Sequence, residues 1–136
     1  MSTYLRIGLG PEHYALDVER VREVSEVRAV VPVAGAGPHV LGVCNLRGEI
    51  LPVVGLDGLL HVDAPPPRRI AVVEDGGRRA GLAITTAAEV EELTLAGDRR
   101  EGLDGPLLAG TVLHEDRLIG VLDVGAVLDA VQRRDA

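Results

Sequence analysis

Side chains able to make or break bonds are few in this sequence, and none is spaced for the task. The four histidines, His13, His39, His61 and His114, show no i, i+4 or two-residue spacing of the kind that places two imidazoles on one metal. Serine occurs only as Ser2 and Ser25, neither in a strand-turn-helix elbow that exposes a nucleophilic hydroxyl. Cys44 lies in the apolar run "VLGVCNL", where a thiol is a small buried hydrophobe and not an activated thiolate. The pairs Glu91-Glu92 and Glu115-Asp116 are sequence neighbours, which on a strand or turn are solvated charges and not an acid and a base facing one substrate. "GLGPEH", residues 8–13, offers Gly-x-Gly, but Pro11 follows at once and no helix opens there to hold a phosphate. This inventory predicts no enzyme, no metal and no cofactor, and points to an interaction module. A polar pocket holding His39, His114 and a carboxylate would instead favour a small-molecule-binding β-barrel or an enzyme.

Composition narrows the partners. The 136 residues fit one domain, and with Phe and Trp absent its core must be filled by Val, Leu, Ile and Ala. Twenty-one acids against 14 bases give a formal net charge of −7, which repels a phosphate backbone. Only Tyr4 and Tyr14 could stack on a base, so nucleic acid is not an expected partner. The single cysteine fits a reducing cytoplasm. No run approaches the roughly 20 apolar residues that cross a bilayer, and the first residues resemble no secretory signal, so a soluble cytoplasmic location is expected.

The elements that must carry any function read as mostly β. "TYLRIGL" and "HYALDV" predict a hairpin over residues 3–17, turning at Gly10-Pro11. In "DVERVREV", Asp17 can cap a short helical piece whose inward stripe is Val18, Val21 and Val24. "RAVVPV" reads as an edge strand because Pro32 cannot donate to a ladder, and "AGAGPH" as a loop. Three further hairpins follow, turning at Arg47-Gly48, between Glu74 and Arg79, and at Glu115-Asp116. The likeness of "ILPVVGL" to "LIGVLDV", each leading into a helical fragment, suggests a duplicated small barrel. Pro65, Pro66 and Pro67 stiffen "HVDAPPPRR", which places the meeting of the two sub-barrels near residues 61–69. "LAGDRREGLDGPLL" is expected to be a long polar loop of possible functional use. A closing helix starts at its cap Asp123, buries Val124, Val127, Leu128 and Val131, and ends at Arg133 and Arg134.

One segment is more specific. "VLGVCNLRGEILPVVGL" closely resembles the signature of CheW-type coupling domains of bacterial chemosensory systems: an apolar strand with a glycine, then Asn-Leu-Arg-Gly, then a Pro-Val strand. "YALDVERVREV", "GGRRAGLAI" and "LLAGTVLHEDRLIGVLDVGAVL" are similar, in order, to the family's remaining elements, so the resemblance covers almost the whole chain. It implies an all-β fold with short helices: two SH3-like five-stranded barrels packed over a shared apolar core, with a C-terminal helix. It also implies an adaptor that couples the helical-hairpin tips of chemoreceptors to a CheA-type histidine kinase.

By motif position, the resemblance implies that Arg47, Val21 and Asn45 lie on the receptor side and Glu23, Val24 and Gly42 on the kinase side. Gly48 is expected to supply a positive φ at the turn, and Asn45 to tie backbone groups there. Arg47 either faces a partner or pairs internally with Glu49 or Glu23 and pins the two barrels. Gly55 and Thr85 stand where many relatives carry Asp, which leaves open a divergent paralogue that keeps only one partner.

Overall fold

A computed structural model describes residues 2–27, 29–98 and 106–132. Alternation of apolar and polar side chains builds ten strands among the described residues, in two five-stranded halves. The first half opens with β1 (Ser2–Leu9) and β2 (Glu12–Asp17), joined at Gly10, whose φ is +58. It resumes late in the chain with β8 (Thr86–Asp98), β9 (Leu108–His114) and β10 (Arg117–Leu122). These pair in the order β1-β2-β10-β9-β8, and β8 pairs back onto β1, so the barrel closes. The second half comprises β3 (Val21–Glu26), β4 (Val40–Leu46), β5 (Glu49–Gly55), β6 (Arg69–Asp75) and β7 (Arg78–Ile84), in the order β3-β6-β7-β5-β4.

Each half contains two hairpins joined by a parallel pair, β10 on β2 in the first and β5 on β7 in the second. The strands β5 and β10 lead into α1 (Leu56–Leu60) and α2 (Val124–Gln132), as the likeness of their sequences suggests. Between the halves lies an all-aliphatic core. Leu5, Ile7, Leu9 and Leu16 come from the barrel, Val54, Leu56, Val73, Leu82 and Ile84 from the second half, and Val127 and Leu128 from α2. Burying each such side chain contributes about 1.5–3 kcal/mol, and here one cluster serves both halves. Asp123 caps α2 by accepting from the Ala126 N–H at 3.0 Å.

Four expectations need correction. The helical piece after Asp17 is a single 3-10 turn, Val18–Arg20, and the chain then runs on as β3, paired with β6. The three-residue spacing of Val21 and Val24 is nonetheless real. A bulge between Val21 and Glu23 adds one residue, which puts both valines on the side that packs against the shared core. "RAVVPV" forms no strand among its described residues, only an isolated bridge from Val31 to Val43. The prolines at 65–67 do not part the halves, since α1 before them and β6 after them both belong to the second half. The chain instead crosses at Val18–Arg20 and at Thr85, where the Thr85 N–H donates to the Gly8 carbonyl at 2.9 Å and its Oγ1 accepts from the Gly10 N–H at 3.0 Å. Finally, β8 (Thr86–Asp98) takes up residues 86–94, for which the sequence carried no expectation, and the start of the expected polar loop, residues 95–98. Residues 99–105 of that loop, and Arg133 and Arg134, lie outside the described residues.

Candidate functional site

The strands β4 and β5 meet at a two-residue turn because Leu46 faces Glu49 directly. Arg47 and Gly48 both have positive φ, +54 and +83, the type I′ geometry whose twist suits a tight hairpin. Asn45 Oδ1 accepts from the Gly48 N–H at 3.0 Å and so locks the turn, as expected of its amide. Gly48 is at home there, but Arg47 is not. An L-residue with a long side chain is disfavoured in the left-handed region, where Asn or Gly would sit with less strain.

The turn points the Arg47 side chain into solvent, 81% exposed, with its Nε 3.3 Å from Glu23 Oε2 on β3. Glu23 is the better buried of the two, at 26% exposure. Since β3 and β4 are the outer strands of the second half, this ion pair spans its seam and does not pin the two barrels together. An exposed pair of this kind contributes about 0–1 kcal/mol.

Farther along the seam the backbone makes its own closure. Val31 and Val43 exchange N–H to carbonyl bonds of 2.8 and 2.9 Å. Gly42 permits the approach, because a Cβ at that position would lie 2.3 Å from the Val31 carbonyl oxygen, and its φ of +153 already excludes most side chains. The proposed kinase-side glycine is therefore fixed by the fold. Val21 and Val24 are half-buried against the shared core.

The register of β4 and β5 sets Ile50 beside Asn45, then Pro52 beside Val43, then Val31 beside Val43, all on the outer face. Ile50 and Val31 are each 60% exposed, and Val33 and Leu41 are exposed near by in sequence. Sequence reading placed these residues in strands without asking which face they take. Alternation from the buried Cys44, Leu51 and Val53 would have shown that Ile50 points outward. Burial pushes the Cys44 thiol up, as befits a core residue.

On the far side of the same turn a charge ladder runs across four strands: Glu49 to Arg79 at 2.9 Å, Arg79 to Glu74 at 2.8 Å, and Glu74 to Arg22 at 3.0 Å. Hydrogen bonds from Arg22 and Arg79 hold the Glu74 carboxyl below the usual carboxylate range. Glu49, a candidate partner of Arg47, is thus engaged by Arg79. The outcome is a rigid tip that offers one guanidinium beside an apolar strip. Such a surface can grip a helix through a carboxylate and a few apolar side chains, and it holds no group placed to activate a substrate.

The pocket set as the mark of a ligand-binding barrel forms only in part. His114 Nδ1 lies 3.2 Å from Glu91 in the first barrel, whereas His39 is in the second half, its carbonyl accepting from the Gly55 N–H. Among the described residues no group of His, Cys, Asp and Glu could hold a metal ion, and no helix is long and apolar enough to cross a membrane.

A closed barrel packed on a half-closed five-stranded sheet, with a presented arginine turn, is the class that fold and site define. The family profile of the CheW-like domain matches residues 3–132, and the chain belongs to that family. The chemotaxis protein CheW of Treponema pallidum (strain Nichols) is 33% identical over 91 residues, which cover 67% of this chain and only half, 50%, of that protein. CheW of Rhizobium meliloti (strain 1021) is 24% identical over 136 residues, 94% of this chain and 88% of that one. CheW of Bacillus subtilis (strain 168) is 26% identical over 133 residues, 92% and 85%. The crystal structure of the scaffolding protein TtCheW from Thermoanaerobacter tengcongensis shares the fold, with a TM-score of 0.80 at 23% identity over 90% of this chain and 88% of that one. Three of these proteins are named for chemotaxis and TtCheW as a scaffolding protein, none for a catalysed reaction, and the family match removes the reading of an unrelated barrel.

Proposed function

We propose that this chain is a cytoplasmic chemosensory adaptor that couples the helical tips of chemoreceptors to the regulatory domain of a CheA-type histidine kinase. The observation that carries this reading is Arg47. It occupies a left-handed turn position where Asn or Gly would be less strained, and its side chain is held in solvent at 81% exposure, so the gain must lie in what that side chain meets. A planar guanidinium donates two parallel bonds to a carboxylate, and the apolar strip from Ile50 to Val31 lies beside it to receive the flank of a helix.

In this reading Arg47 makes the direct receptor contact, Asn45 holds it in place, and Val21 backs the same face from β3. Glu23, Val24 and Gly42 serve the kinase side, Glu23 by its carboxylate and Gly42 by letting the chain at Val31 approach β4. At one of the two departures from relatives, Thr85 has a structural use, since its hydroxyl caps the Gly10 N–H where the chain crosses between the halves.

Binding of the purified chain to a receptor tip fragment and to a CheA regulatory domain, measured separately by calorimetry, tests the proposal. Wild type is expected to bind both, and Arg47→Glu to lose the receptor arm with its thermal midpoint nearly unchanged. Absence of both interactions would refute the adaptor reading. Loss of only the kinase arm in the wild type would identify a single-partner paralogue.

A further inference from the structure

We propose that the mouth of the closed first barrel binds a small oxyanion, the carboxylate or phosphate group of a small molecule, between Arg6 and Arg117. Alternation along the five strands fixes what lines the barrel's interior. Tyr4, Ala15, Leu93, Val112, Ile119 and Val121 form one apolar cluster within it. Stepping along each strand by an even number of residues from a member of that cluster gives Arg6 on β1, His13 on β2, Glu91 on β8, His114 on β9 and Arg117 on β10. The registers agree: Arg6 faces Ala15, Tyr4 faces Glu91, and Arg117 faces His114. Every strand of the barrel thus contributes a polar side chain to one end, and the apolar cluster seals the lumen below them. The result is a cup of about 450 Å³, within the size of small-molecule sites and in a place where β-barrels hold ligands.

The contacts inside the cup leave cationic donors over. Glu91 is already claimed, by Arg6 Nε at 2.9 Å and by His114 Nδ1 at 3.2 Å. His13 Nδ1 lies 3.5 Å from Arg6 Nη1, so a neutral His13 accepts there. Arg117 also lines the cup, and among the described residues no carboxylate stands within ion-pairing distance of it. Glu12 and Glu115 line the opening and are exposed, Glu115 at 83%, and the Glu115 carboxylate reaches His114 Nε2 at 3.4 Å. The polar groups at the mouth are two guanidinium ions, two imidazoles and the carboxylates of Glu12, Glu91 and Glu115; among the described residues Arg117 is the guanidinium that none of these carboxylates engages, and it is the donor left for an added anion. Burial first, then Arg6, Arg117 and His114, lower the affinity of His13 for a proton, while Glu12 opposes them. Ile119, below the polar groups, suits a ligand with a short apolar body behind its anionic head.

Histidine proton resonances of the intact chain, followed near pH 6.5 while inorganic phosphate or succinate is added at constant ionic strength, test this. His13 and His114 should shift along a saturating curve with at least one of the two probes, and which probe binds identifies phosphate or carboxylate as the preferred head. His39 and His61 should stay put and act as internal references. The bound anion should also raise the titration midpoint of His13. Arg117→Gln, which removes an exposed side chain that has no ion-pair partner among the described residues, should weaken binding about tenfold or more, while Arg69→Gln in the second half should leave it unchanged. Uniform, unsaturated movement of all four histidines, or equal binding by Arg117→Gln, would overturn the proposal. The assay contains no receptor or kinase, so its failure leaves the adaptor reading untouched.

Discussion

The two halves repeat one plan and differ in how they close. In the first, the thirteen-residue strand β8 pairs with both β1 and β9 and leaves no edge. In the second, β3 stops at Glu26, and the gap to β4 is spanned by one backbone bridge at Val31 and one ion pair at Arg47. Closure fixes what each half can offer. A barrel without edges presents its interior end, here a polar cup, whereas a half-closed one presents its seam, here an apolar strip beside a guanidinium. The same hairpin chemistry thus yields a cavity on one side and a docking surface on the other.

The comparison is most severely tested at the core common to both. Leu82→Ala should cost about 2–5 kcal/mol, and both halves should unfold in one transition when followed by urea titration with amide signals from each. Separate transitions would show that the halves are independent and that the shared cluster is only an interface. Gly42→Val comes next, at about 2–3 kcal/mol, since its Cβ would strike backbone that cannot step aside. Hydrogen exchange should quicken at Val31 and Val43 and hardly change in β8, and uniform loss of protection would mean that the seam is not a local feature.

Arg47→Asn is expected to move stability by no more than about 1 kcal/mol in either direction, relief of turn strain offsetting a lost surface ion pair, while receptor binding falls about tenfold. A fall in thermal midpoint to match the lost binding would mean that the arginine serves the seam and not a partner. The smallest effect belongs to the cup. His13 binds its proton less readily folded than unfolded, so its contribution to stability is whole above about pH 6.5 and is lost as pH falls below that toward the lowered folded value. A stability profile against pH should therefore decline more steeply in that window for wild type than for His13→Gln, and superimposable profiles would show that the cup does not disfavour positive charge.

Much of this was legible in the chain. Local chemistry announced the hairpins: Gly10-Pro11, Arg47-Gly48 and Glu115-Asp116 all sit at turns, and Asp123 caps its helix. The NLRG motif marked the exposed arginine and the amide that locks it. The failures have physical causes. The strand β3 was mistaken for helix because a bulge at Arg22 lets valines three apart share a face, a pattern that 3.6-residue periodicity produces as well. The strand β8 was passed over because its Ala and Glu residues carry little strand propensity, and long-range pairing with β1 and β9 overrides that.

The sequence by itself determined the elements, their turns, the aliphatic core and the family, because each depends on residues close together in the chain or on their alternation. Tertiary structure alone decided that the chain leaves the first barrel at Val18 and returns at Thr85, that one half closes and the other does not, and that Arg6, His13, Glu91, His114 and Arg117 gather at one mouth. Those facts rest on pairings between residues as far apart as Arg6 and Glu91, separated by 85 positions, and no local pattern encodes which distant strand will supply the other half of a ladder.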